Sequence, residues 1–462
     1  MCSRLPSLEE AVVPSGFCAY ALPVVIDQAR SIRSLGTSDF LAVERGSASV
    51  IRVFDSDGDG IVDSRSTLVT ATELNHGIAI HDGYLYASND KIVYRWPYTS
   101  GAEQVNQVEG EEVIHSINSD GNGGAPYGHT TRTLAFDAAG RLYVSVGSNK
   151  NIDNDSFRSR IRRFNVTNAD QFPLNFTTGE VFADGLRNEV GLAFDRFGVL
   201  WGVENSADNL IRDDLGGDIH NDNPAEELNR FKEEDAGKHW GYPYCWTEFS
   251  LPQPPGMGRD TVWVWPTFLD TVTDEECRTD YMTSQLSMQA HTAPLGITFY
   301  QYNEETPSDC PPNVAFPKEM DGYAFIAMHG SWNRDVPVGY SVIYIEMDEN
   351  GDVMGEAPVD LLSHSLEAHW PDGFRPVDVD FDACGRLLVS SDGSHDINNY
   401  GGSKIVLIEY GSATTPQEKE PYPTSTELPA TNAPSTATPR FTNIFLVAAC
   451  QVLLIHWTLL LN

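Results

Sequence analysis

Basic residues are scarce in this chain of 462 residues: 30 Lys and Arg stand against 66 Asp and Glu, giving a formal net charge of −36. Such a surface would repel nucleic-acid phosphates, so the composition excludes a nucleic-acid partner. It suits a soluble extracellular protein, and a solvated acidic surface accounts for most of the charge. Residues 1–6 lack the apolar core of a secretory signal. Three N-glycosylation sequons, at Asn154, Asn165 and Asn175, nevertheless favour a secreted glycoprotein.

No C-x-x-C pair occurs among the seven cysteines. They are Cys2, Cys18, Cys245, Cys277, Cys310, Cys384 and Cys450. Cys450 lies in an apolar tail, and the others are even in number and widely spaced, which favours disulfides over a metal cluster. We predict a bridge between Cys245 and Cys277 that closes an insertion, and the other pairings stay open.

One sequence phrase recurs six times along the chain. Residues 185–205 (GLRNEVGLAFDRFGVLWGVEN) combine an Arg-Asn pair, an apolar strand, an Asp-x-x-Gly turn and a second apolar strand. Related phrases occupy residues 31–44, 76–89, 132–147, 295–329 and 377–392. Repeats of about 40–50 residues with strand and turn signals are typical of propellers, because one such sheet cannot bury both faces alone. The sequence therefore predicts an all-β fold, a six-bladed β-propeller of four-stranded blades over residues 16–410, after an N-terminal extension at 1–15.

An acidic loop precedes the second phrase. Residues 55–63 (DSDGDGIVD) resemble the start of an EF-hand calcium loop. Position 12 of that loop would be Ser66 instead of a bidentate Glu, and the segment before it has a strand pattern. A calcium loop and an Asp/Gly-rich hairpin turn both stay open.

The C-terminal part of the chain has a different composition. Residues 411–440 are rich in Pro, Thr, Ser and Ala and predict an unfolded, O-glycosylated stalk. Residues 441–462 are mainly apolar, with no basic flank after them, which is typical of a GPI-attachment signal following a stalk of small residues. A transmembrane tail is the alternative, weakened by Gln451 and His456. We expect an extracellular protein held at the cell surface by this segment.

Seven blocks in a fixed order carry a family resemblance. They are residues 129–136, 187–188, 224–229, 239–246, 290–296, 329–334 and 374–378. Together these blocks resemble the PQQ-dependent soluble sugar dehydrogenases, in particular the sorbosone dehydrogenase and fungal pyranose dehydrogenase branch. The resemblance implies oxidation of the C1 hydroxyl of a pyranose, or of a related sugar or aldehyde, by hydride transfer to the quinone. It also implies PQQ and Ca²⁺ as cofactors, a sugar substrate and an external electron acceptor.

Arginines at the starts of repeats give that resemblance a physical basis. In a propeller, equivalent blade ends surround one mouth of the central channel, so charges distant in sequence converge. Arg pairs with carboxylates in a bidentate geometry, and PQQ carries three carboxylates. We therefore expect four arginines at one mouth, although an ordinary ion pair between blades is the alternative for each one alone. They are Arg132, Arg187, Arg334 and Arg375.

The resemblance implies a wider set of cofactor-binding residues. The set is His76, Arg132, Arg187, Asn188, His291, Arg334 and Arg375. Within it, Arg187 and Asn188 are expected at the quinone oxygens, and His76 beside the substrate pocket with Asn75. This chain departs from the family pattern at Arg334, where the family has a lysine and this chain has an SWNR turn.

His129 is implied as the catalytic general base. Imidazole suits this role because its pKa lies near neutral pH; a structural histidine that caps a strand is the alternative. Bacterial glucose-oxidising members of the family orient this His with an Asp, where this chain has Ser148. We therefore expect either that another group orients the imidazole or that activity is altered.

Calcium is implied next to the cofactor, at Ser206, Ala207 and Asp208. In the family, backbone carbonyls after the central return strand hold this ion, and oxygen donors suit calcium. Ser206 and Ala207 occupy that place here, with Asp208 nearby. For Asp208, a simple turn residue is the alternative.

Two other functions compete with the dehydrogenase interpretation. One is a calcium-dependent, lactonase-like hydrolase, against which the predicted ring of arginines argues. The other is a non-catalytic cell-surface binding ectodomain, which Ser148 and the predicted anchor leave open. We expect Trp240, Trp246 and Trp332 to pack within blades, although one at the channel mouth could stack on a pyranose.

Overall fold

The computed structural model of the chain describes residues 5, 7–105, 109–117, 128–154, 157–365, 370–393 and 402–411. The predicted stalk and tail therefore lie outside the described residues, apart from Gly411. No helix in the described ranges is long and apolar enough to cross a membrane. The anchor, the export of the chain and its glycosylation remain predictions.

Short β-strands make up almost all of the regular structure in the described ranges. In chain order they are β1 (Ala11–Val12), β2 (Phe17–Ala21), β3 (Ala29–Ser34), β4 (Asp39–Glu44), β5 (Ser49–Phe54), β6 (Ser64–Thr70), β7 (Ile78–His81), β8 (Tyr84–Ser88), β9 (Val93–Pro97), β10 (Glu111–His115), β11 (Leu134–Phe136), β12 (Arg141–Val146), β13 (Arg160–Asn165), β14 (Leu174–Asn175), β15 (Glu180–Asp184), β16 (Glu189–Phe194), β17 (Leu200–Glu204), β18 (Ile211–Arg212), β19 (Gly217–Asp218), β20 (Glu226–Phe231), β21 (Lys238–His239), β22 (Cys245–Thr247), β23 (Val262–Val264), β24 (Leu286–Met288), β25 (Pro294–Phe299), β26 (Ala324–Met328), β27 (Ser341–Ile345), β28 (Val359–His364), β29 (Pro376–Phe381), β30 (Leu387–Asp392) and β31 (Ser403–Tyr410).

Helical structure is confined to short segments between the strands. The α-helix α1 spans Asp274–Thr279 and begins with a capping box, in which Thr273 and Glu276 satisfy each other's backbone N–H groups. Short 3₁₀ turns occupy Arg45–Ser47, Ala169–Gln171, Phe176–Thr178, Asp213–Leu215, Glu233–Asp235, Pro266–Phe268 and Lys318–Met320.

Apart from the two-stranded sheets β18-β19 and β22-β23, the strands form six blades, which confirms the predicted six-bladed β-propeller. Their hydrogen-bonded orders are β3-β4-β5-β6, β7-β8-β9-β10-β14, β11-β12-β13-β15-β21, β16-β17-β20-β24, β25-β26-β27-β28-β1 and β29-β30-β31-β2, here blades 1 to 6. Each repeated phrase forms the first two strands of its blade. In blade 4 the turn between them places Gly198 at φ +75°, where a glycine is favoured.

Blades 2, 3 and 5 each have five strands instead of the predicted four. The added strands are only two residues long. β14 pairs in parallel with β10, β21 pairs in parallel with β15, and β1 pairs antiparallel with β28. These short segments satisfy the hydrogen bonds of an outer blade edge that would otherwise stay open. Because β1 lies at Ala11–Val12, the predicted boundary at residue 16 falls too late in the chain.

The ring is closed by a strand from the opposite end of the chain. β2 pairs antiparallel with β31, with Phe17 opposite Tyr410. Blade 6 is thus built from both ends of the described chain. Such a closure ties the first blade to the last, so that no sheet edge interrupts the ring.

The innermost strands β3, β7, β11, β16, β25 and β29 surround a central channel, each in contact with the next. Apolar clusters fill the spaces between neighbouring blades, for example Trp201 and Ile326 between blades 4 and 5. One end of the channel holds a cavity of about 400 Å³ lined by residues such as Phe136, Phe194 and Asp380. The other end lies at the start of the inner strands, where polar residues such as His76, Arg132 and Arg187 come just before β7, β11 and β16.

Two disulfides secure loops on this framework. The predicted bridge between Cys245 and Cys277 is confirmed, and it links the β22–β23 hairpin to α1. A second bridge joins Cys310 to Cys384. Cys18 is also disulfide-bonded.

The acidic loop connects β5 to β6 in an antiparallel hairpin, with Phe54 opposite Ser64. Asp55, Asp57 and Asp59 can each bring one carboxylate oxygen within 4.8 Å of the others. Asp55 also accepts hydrogen bonds from backbone N–H groups within the loop, as an Asp/Gly-rich turn requires. The geometry is therefore compatible with both interpretations of the sequence.

Candidate active site

His129 lies at the channel mouth and is fixed through its Nδ1 atom. Nδ1 lies 2.9 Å from the carbonyl oxygen of Ser148 and 3.2 Å from its hydroxyl. Because the carbonyl can only accept, Nδ1 carries the hydrogen, and Nε2 is left with its lone pair. We expected either that a group other than the Ser148 side chain orients the imidazole or that activity is altered. The main-chain carbonyl of Ser148 orients it, which a comparison of side chains could not reveal.

The electrostatic surroundings keep the His129 imidazole neutral. Burial lowers the pKa of His129 to about 3, and the positive charge of Arg187 adds to this effect. The ring is therefore unprotonated at neutral pH, and the lone pair of Nε2 is available. An added Cβ at Gly147 would come within 2.8 Å of the His129 Cβ and 2.4 Å of the Asn188 Oδ1. This glycine thus allows His129 and Asn188 to pack against the same point of the backbone.

Arg187 belongs to a group that we call the Asp208 cluster, formed by the buried Asp208, Arg187 and His291 and the half-buried Asn151 and Asn333. An Arg187 Nη2 donates to Asp208 Oδ2 at 2.8 Å and to Asn151 Oδ1 at 3.1 Å. His291 Nδ1 and Asn333 Nδ2 each lie 3.5 Å from Asp208 Oδ1. The cluster therefore joins residues from blades 3, 4 and 5 at one mouth of the channel.

Within this cluster, His291 is positioned as an imidazolium. Its Nε2 donates to the carbonyl of His220 at 2.6 Å, while its Nδ1 faces Asp208. Burial lowers the pKa of His291, but the hydrogen bond to Asp208 and the charge of Glu226 outweigh it, so the pKa is raised overall. The pKa of Asp208 is lowered, because His291 and Arg187 outweigh the effect of its burial.

Glu226 connects the two loops that carry Asp208 and His291. One of its carboxylate oxygens accepts from the N–H of Ser206 at 2.7 Å, and the other accepts from Ala293 at 3.2 Å. Its side chain is buried, and burial raises its pKa to about 7. Sequence reasoning missed this residue, although it stands in the block at 224–229 that carried the family resemblance.

The residues implied for calcium divide into two types. The carboxylate of Asp208 is engaged by Arg187 and His291, so it is a counter-ion within its cluster. The backbone carbonyls of Ser206 and Ala207 accept no hydrogen bond from any described residue. Oxygen donors of that kind are the ligands that calcium prefers.

A second buried group, the Asp392 cluster, lies across the mouth and consists of Asp392, Arg30, His76 and His329. Arg30 donates to Asp392 at 2.7 Å and lies 3.2 Å from His76 Nδ1. His329 Nε2 lies 3.7 Å from the other oxygen of Asp392. Of these four, only His76 was predicted as a site residue.

Both histidines of the Asp392 cluster are held neutral. Burial lowers the pKa of His329 to about 3; Arg375 and Arg30 oppose its protonation, although Asp392 favours it. Burial and the charge of Arg30 lower the pKa of His76 well below its usual value. His76 therefore accepts a hydrogen bond from Arg30 through Nδ1, while its Nε2 lies 3.5 Å from the Ser31 hydroxyl.

The remaining predicted arginines are held mainly by backbone carbonyls. Arg375 donates to the carbonyls of His329 and Gly330, each at 3.1 Å. Arg132 is fully buried and donates to the carbonyls of Asp90, His129 and Thr131. Arg334 donates to Asn221 and, at 3.1 Å, to the exposed carboxylate of Asp222. Arg187 alone of the four pairs with a buried carboxylate.

The three tryptophans separate into two environments. Trp240 and Trp246 are buried, as predicted, with 7 % and 4 % of their surface exposed. Trp332 is 73 % exposed, so its predicted packing within a blade is wrong. It lies on the loop between β26 and β27. The sequence there has no hydrophobic periodicity that would have distinguished this loop from a strand.

The TrAA12-like family model matches residues 11–399. The chain belongs to the TrAA12-like family. A pyrroloquinoline quinone-dependent sugar dehydrogenase from Hypocrea jecorina (strain QM6a) is 31 % identical over 399 residues, covering 80 % of this chain and 84 % of that protein. The resemblance stated from the sequence blocks is thereby confirmed.

Solved structures agree with this membership in the TrAA12-like family. A calcium structure of the Trichoderma reesei Carbohydrate-Active Enzymes Family AA12 protein is 28 % identical, with a TM-score of 0.74, and covers 89 % of this chain and 99 % of that one. The holo form of the pyranose dehydrogenase PQQ domain from Coprinopsis cinerea is 26 % identical, with a TM-score of 0.69, and covers 88 % and 99 %. The similarity extends over the whole propeller in both.

Proposed function

We propose that this protein is a PQQ-dependent sugar dehydrogenase that oxidises the C1 hydroxyl of a pyranose or a related sugar or aldehyde. The observation that carries the proposal is the neutral His129 imidazole beside Arg187 and Asn188, at the mouth of a propeller of the TrAA12-like family. The named relatives are PQQ-dependent sugar dehydrogenases, which supports the same reaction class here.

The donors at the mouth fit an anionic, carboxylate-bearing quinone. Several buried arginine nitrogens have no hydrogen-bond acceptor among the described residues, and three of them belong to arginines at this mouth: Arg30 Nε, Arg132 Nη2 and Arg187 Nε. Buried donors without acceptors are costly, so an anionic ligand that accepts from them would be stabilised. These arginines converge on one channel end although the chain carries a net charge of −36.

We assign cofactor binding to six of the predicted residues, His76, Arg132, Arg187, Asn188, His291 and Arg375, with Arg30 added. The seventh, Arg334, pairs with the exposed Asp222 and is left out of the set. Bound PQQ supplies the acceptor for the hydride of the sugar C1–H bond. His129 Nε2 takes the proton of the C1 hydroxyl, and its Nδ1–H bond to Ser148 holds the ring in the required tautomer. Calcium would be held by the carbonyls of Ser206 and Ala207, with Asp208 acting through Arg187 and His291.

Location and electron transfer complete the proposal. The stalk and apolar tail support attachment to the extracellular side of the membrane through a GPI anchor, and electrons would leave to an external acceptor. Phosphatidylinositol-specific phospholipase C should release the protein from cells. Retention after that treatment would favour a transmembrane tail.

Reconstitution tests the reaction directly. Purified protein is titrated with PQQ in excess Ca²⁺ while the quinone absorbance is recorded, and sugar oxidation is followed with an artificial acceptor dye. Binding of PQQ together with sugar-dependent dye reduction supports the dehydrogenase. If PQQ does not bind, the dehydrogenase proposal fails, and a surface-binding propeller takes its place.

A further inference from the structure

Trp332 presents a large apolar side chain to solvent on the loop 330–340. Its 73 % exposure contrasts with the buried Trp240 and Trp246. A single exposed apolar residue is ordinary on a protein surface. The significance of Trp332 therefore depends on how its loop is held and where that loop lies.

The loop is fixed at its base and at its tip. At the base, the N–H of Ser331 donates to the carbonyl of Val338 at 2.9 Å, and the N–H of Val338 donates back to the Ser331 hydroxyl at 3.0 Å. At the tip, the N–H of Asp335 donates to the Asn221 side chain at 2.9 Å, and Arg334 also binds Asn221. The segment between these points is thus held to blade 4 as well as to blade 5.

Trp332 lies on the stretch of chain that connects the two clusters of the candidate site. Two residues before it, the carbonyl of Gly330 accepts from Arg375, which faces the Asp392 cluster. One residue after it, the side-chain amide of Asn333 lies 3.5 Å from Asp208. These contacts hold the backbone of Trp332 at the rim of the mouth.

We propose that Trp332 is a specificity-determining platform on which the apolar C–H face of the pyranose ring packs during the reaction. This inference rests on the proposed function, because it assigns the sugar a position at the same mouth. An indole offers a flat apolar surface with low conformational entropy to lose, and a ring of sugar C–H groups offers the complementary face. Burying that face against Trp332 would stabilise the bound sugar without contacting the reacting atoms.

Kinetics of Trp332→Ala test this position. The substrate is whichever of D-glucose, D-galactose, D-mannose and D-xylose the reconstituted wild type oxidises fastest, with the artificial acceptor dye at saturation. We expect KM for the sugar to rise on the order of tenfold, the effect of losing one apolar contact face. The kcat should stay unchanged, and Trp332→Tyr should restore most of the wild-type KM. Val336→Ala is the matched control, since Val336 is 67 % exposed on the same loop.

Two readouts separate this inference from the proposed function. PQQ titration of Trp332→Ala should match the wild type, because Trp332 is not assigned to the cofactor. The same sugars are also titrated into protein without PQQ, and the difference in indole fluorescence between wild type and Trp332→Phe should change with sugar. A wild type that binds no PQQ overturns the dehydrogenase, whereas this fluorescence titration still tests the platform.

The platform is overturned if Trp332→Ala leaves the sugar KM unchanged, or if no sugar alters the fluorescence difference. It is also overturned if the variant raises KM for the acceptor alone, since the exposed loop would then be an acceptor-docking surface. A parallel rise in KM for Val336→Ala would assign the effect to the loop as a whole and would likewise refute a role specific to the indole.

Discussion

The Asp208 and Asp392 clusters contain the same pair of interactions and yet hold different charges. Each has a buried Asp that pairs with an Arg, at 2.8 Å in the first and 2.7 Å in the second, and that faces a His at 3.5 Å or 3.7 Å. The pKa of His291 is raised, whereas that of His329 is lowered to about 3. The pairing alone therefore does not decide the charge of the histidine.

The neighbouring residues explain the difference. His291 has a second carboxylate nearby, Glu226, which favours its protonated form. His329 instead lies near Arg375 and Arg30, whose charges oppose protonation. Histidine charge follows the sum of burial and all nearby charges. The first cluster is consequently an ionic network, and the second combines one ion pair with neutral imidazoles.

We expect the largest effect from substitution of His129, which lies beside the Asp208 cluster. We expect His129→Ala to keep PQQ binding but to lower kcat by about 10²–10⁴-fold, the usual contribution of a general base. PQQ titration and dye reduction at saturating sugar provide the two measurements. His329→Ala is the matched variant across the mouth. It should not combine unchanged PQQ binding with a lowered kcat. Wild-type kcat in His129→Ala would show that the base lies elsewhere.

Removing the carboxylates should distinguish the clusters by stability. Asp392→Asn leaves the buried Arg30 without its carboxylate, and breaking such a pair costs about 3–5 kcal/mol of unfolding free energy. Asp208→Asn should cost less, because His291 can release its proton and Glu226 remains near Arg187. Urea unfolding of both variants without PQQ measures the difference. An equal or larger cost for Asp208→Asn would contradict the proposed difference in charge.

The two clusters also differed in how far sequence could predict them. Arg187 and Asn188 lie in one repeated phrase and Asp208 follows that phrase by three residues, so their convergence follows from a single blade. Arg30 and Asp392 are 362 residues apart, and their contact depends on the closure of the ring between blades 6 and 1. Neither spacing nor periodicity gives such a pair. An arginine immediately before the first phrase was the only available signal.

The fold and the orientation of the His129 imidazole were likewise predictable only as far as local sequence and side chains determine them. Six repeated hairpins were sufficient to predict the propeller, because alternating strands and turns are local properties. The two-residue strands added to blades 2, 3 and 5 are too short to have a pattern. The carbonyl of Ser148 was missed because a sequence identifies side chains, whereas here the main chain makes the decisive bond.

Carboxylates beneath the Asp208 cluster predict a pH dependence of stability. Glu189, Glu204 and Glu227 are paired across three adjacent strands of blade 4. Glu204 accepts from the N–H of Arg187 at 2.5 Å, and Asn229 donates to Glu189 and Glu204. The row therefore lies directly below the ionic cluster. Burial raises the pKa of Glu227 to about 7, from an ordinary value of 4.5.

The folded protein holds the Glu227 proton more tightly than the unfolded chain does. The stability that this proton contributes is therefore greatest below the pKa of Glu227 in the unfolded chain, and it is lost as pH rises through the pKa of Glu227 in the folded protein. The Glu227 contribution should decline by about 3 kcal/mol between these limits. The free energy of unfolding of Glu227→Gln should therefore be lower than that of the wild type at about pH 5, and the difference should shift in favour of the variant by about pH 8. Urea unfolding at both pH values measures this change, with the exposed Glu356→Gln as control. A pH-independent difference would show that Glu227 does not hold the proton.

The smallest expected effects concern two arginines with different surroundings. Arg375 stacks over Tyr340 at 5.5 Å and faces the Asp392 cluster, whereas Arg334 pairs with Asp222, whose side chain is 57 % exposed. Arg375→Ala should weaken PQQ binding by about 1.5–3 kcal/mol, since it would remove the charged donor that we propose for a cofactor carboxylate. Arg334→Ala should change it by less than about 1 kcal/mol, because solvent screens exposed pairs.

PQQ titrations in excess Ca²⁺ compare both variants with the wild type. Arg375→Lys keeps the charge but loses the planar guanidinium, so it should recover only part of the affinity. Equal weakening by Arg375→Ala and Arg334→Ala would mean that the cofactor contacts both sides of the mouth alike. Unchanged affinity in Arg375→Ala would remove this arginine from the cofactor site, and its bonds to His329 and Gly330 would then serve only to hold the Trp332 loop.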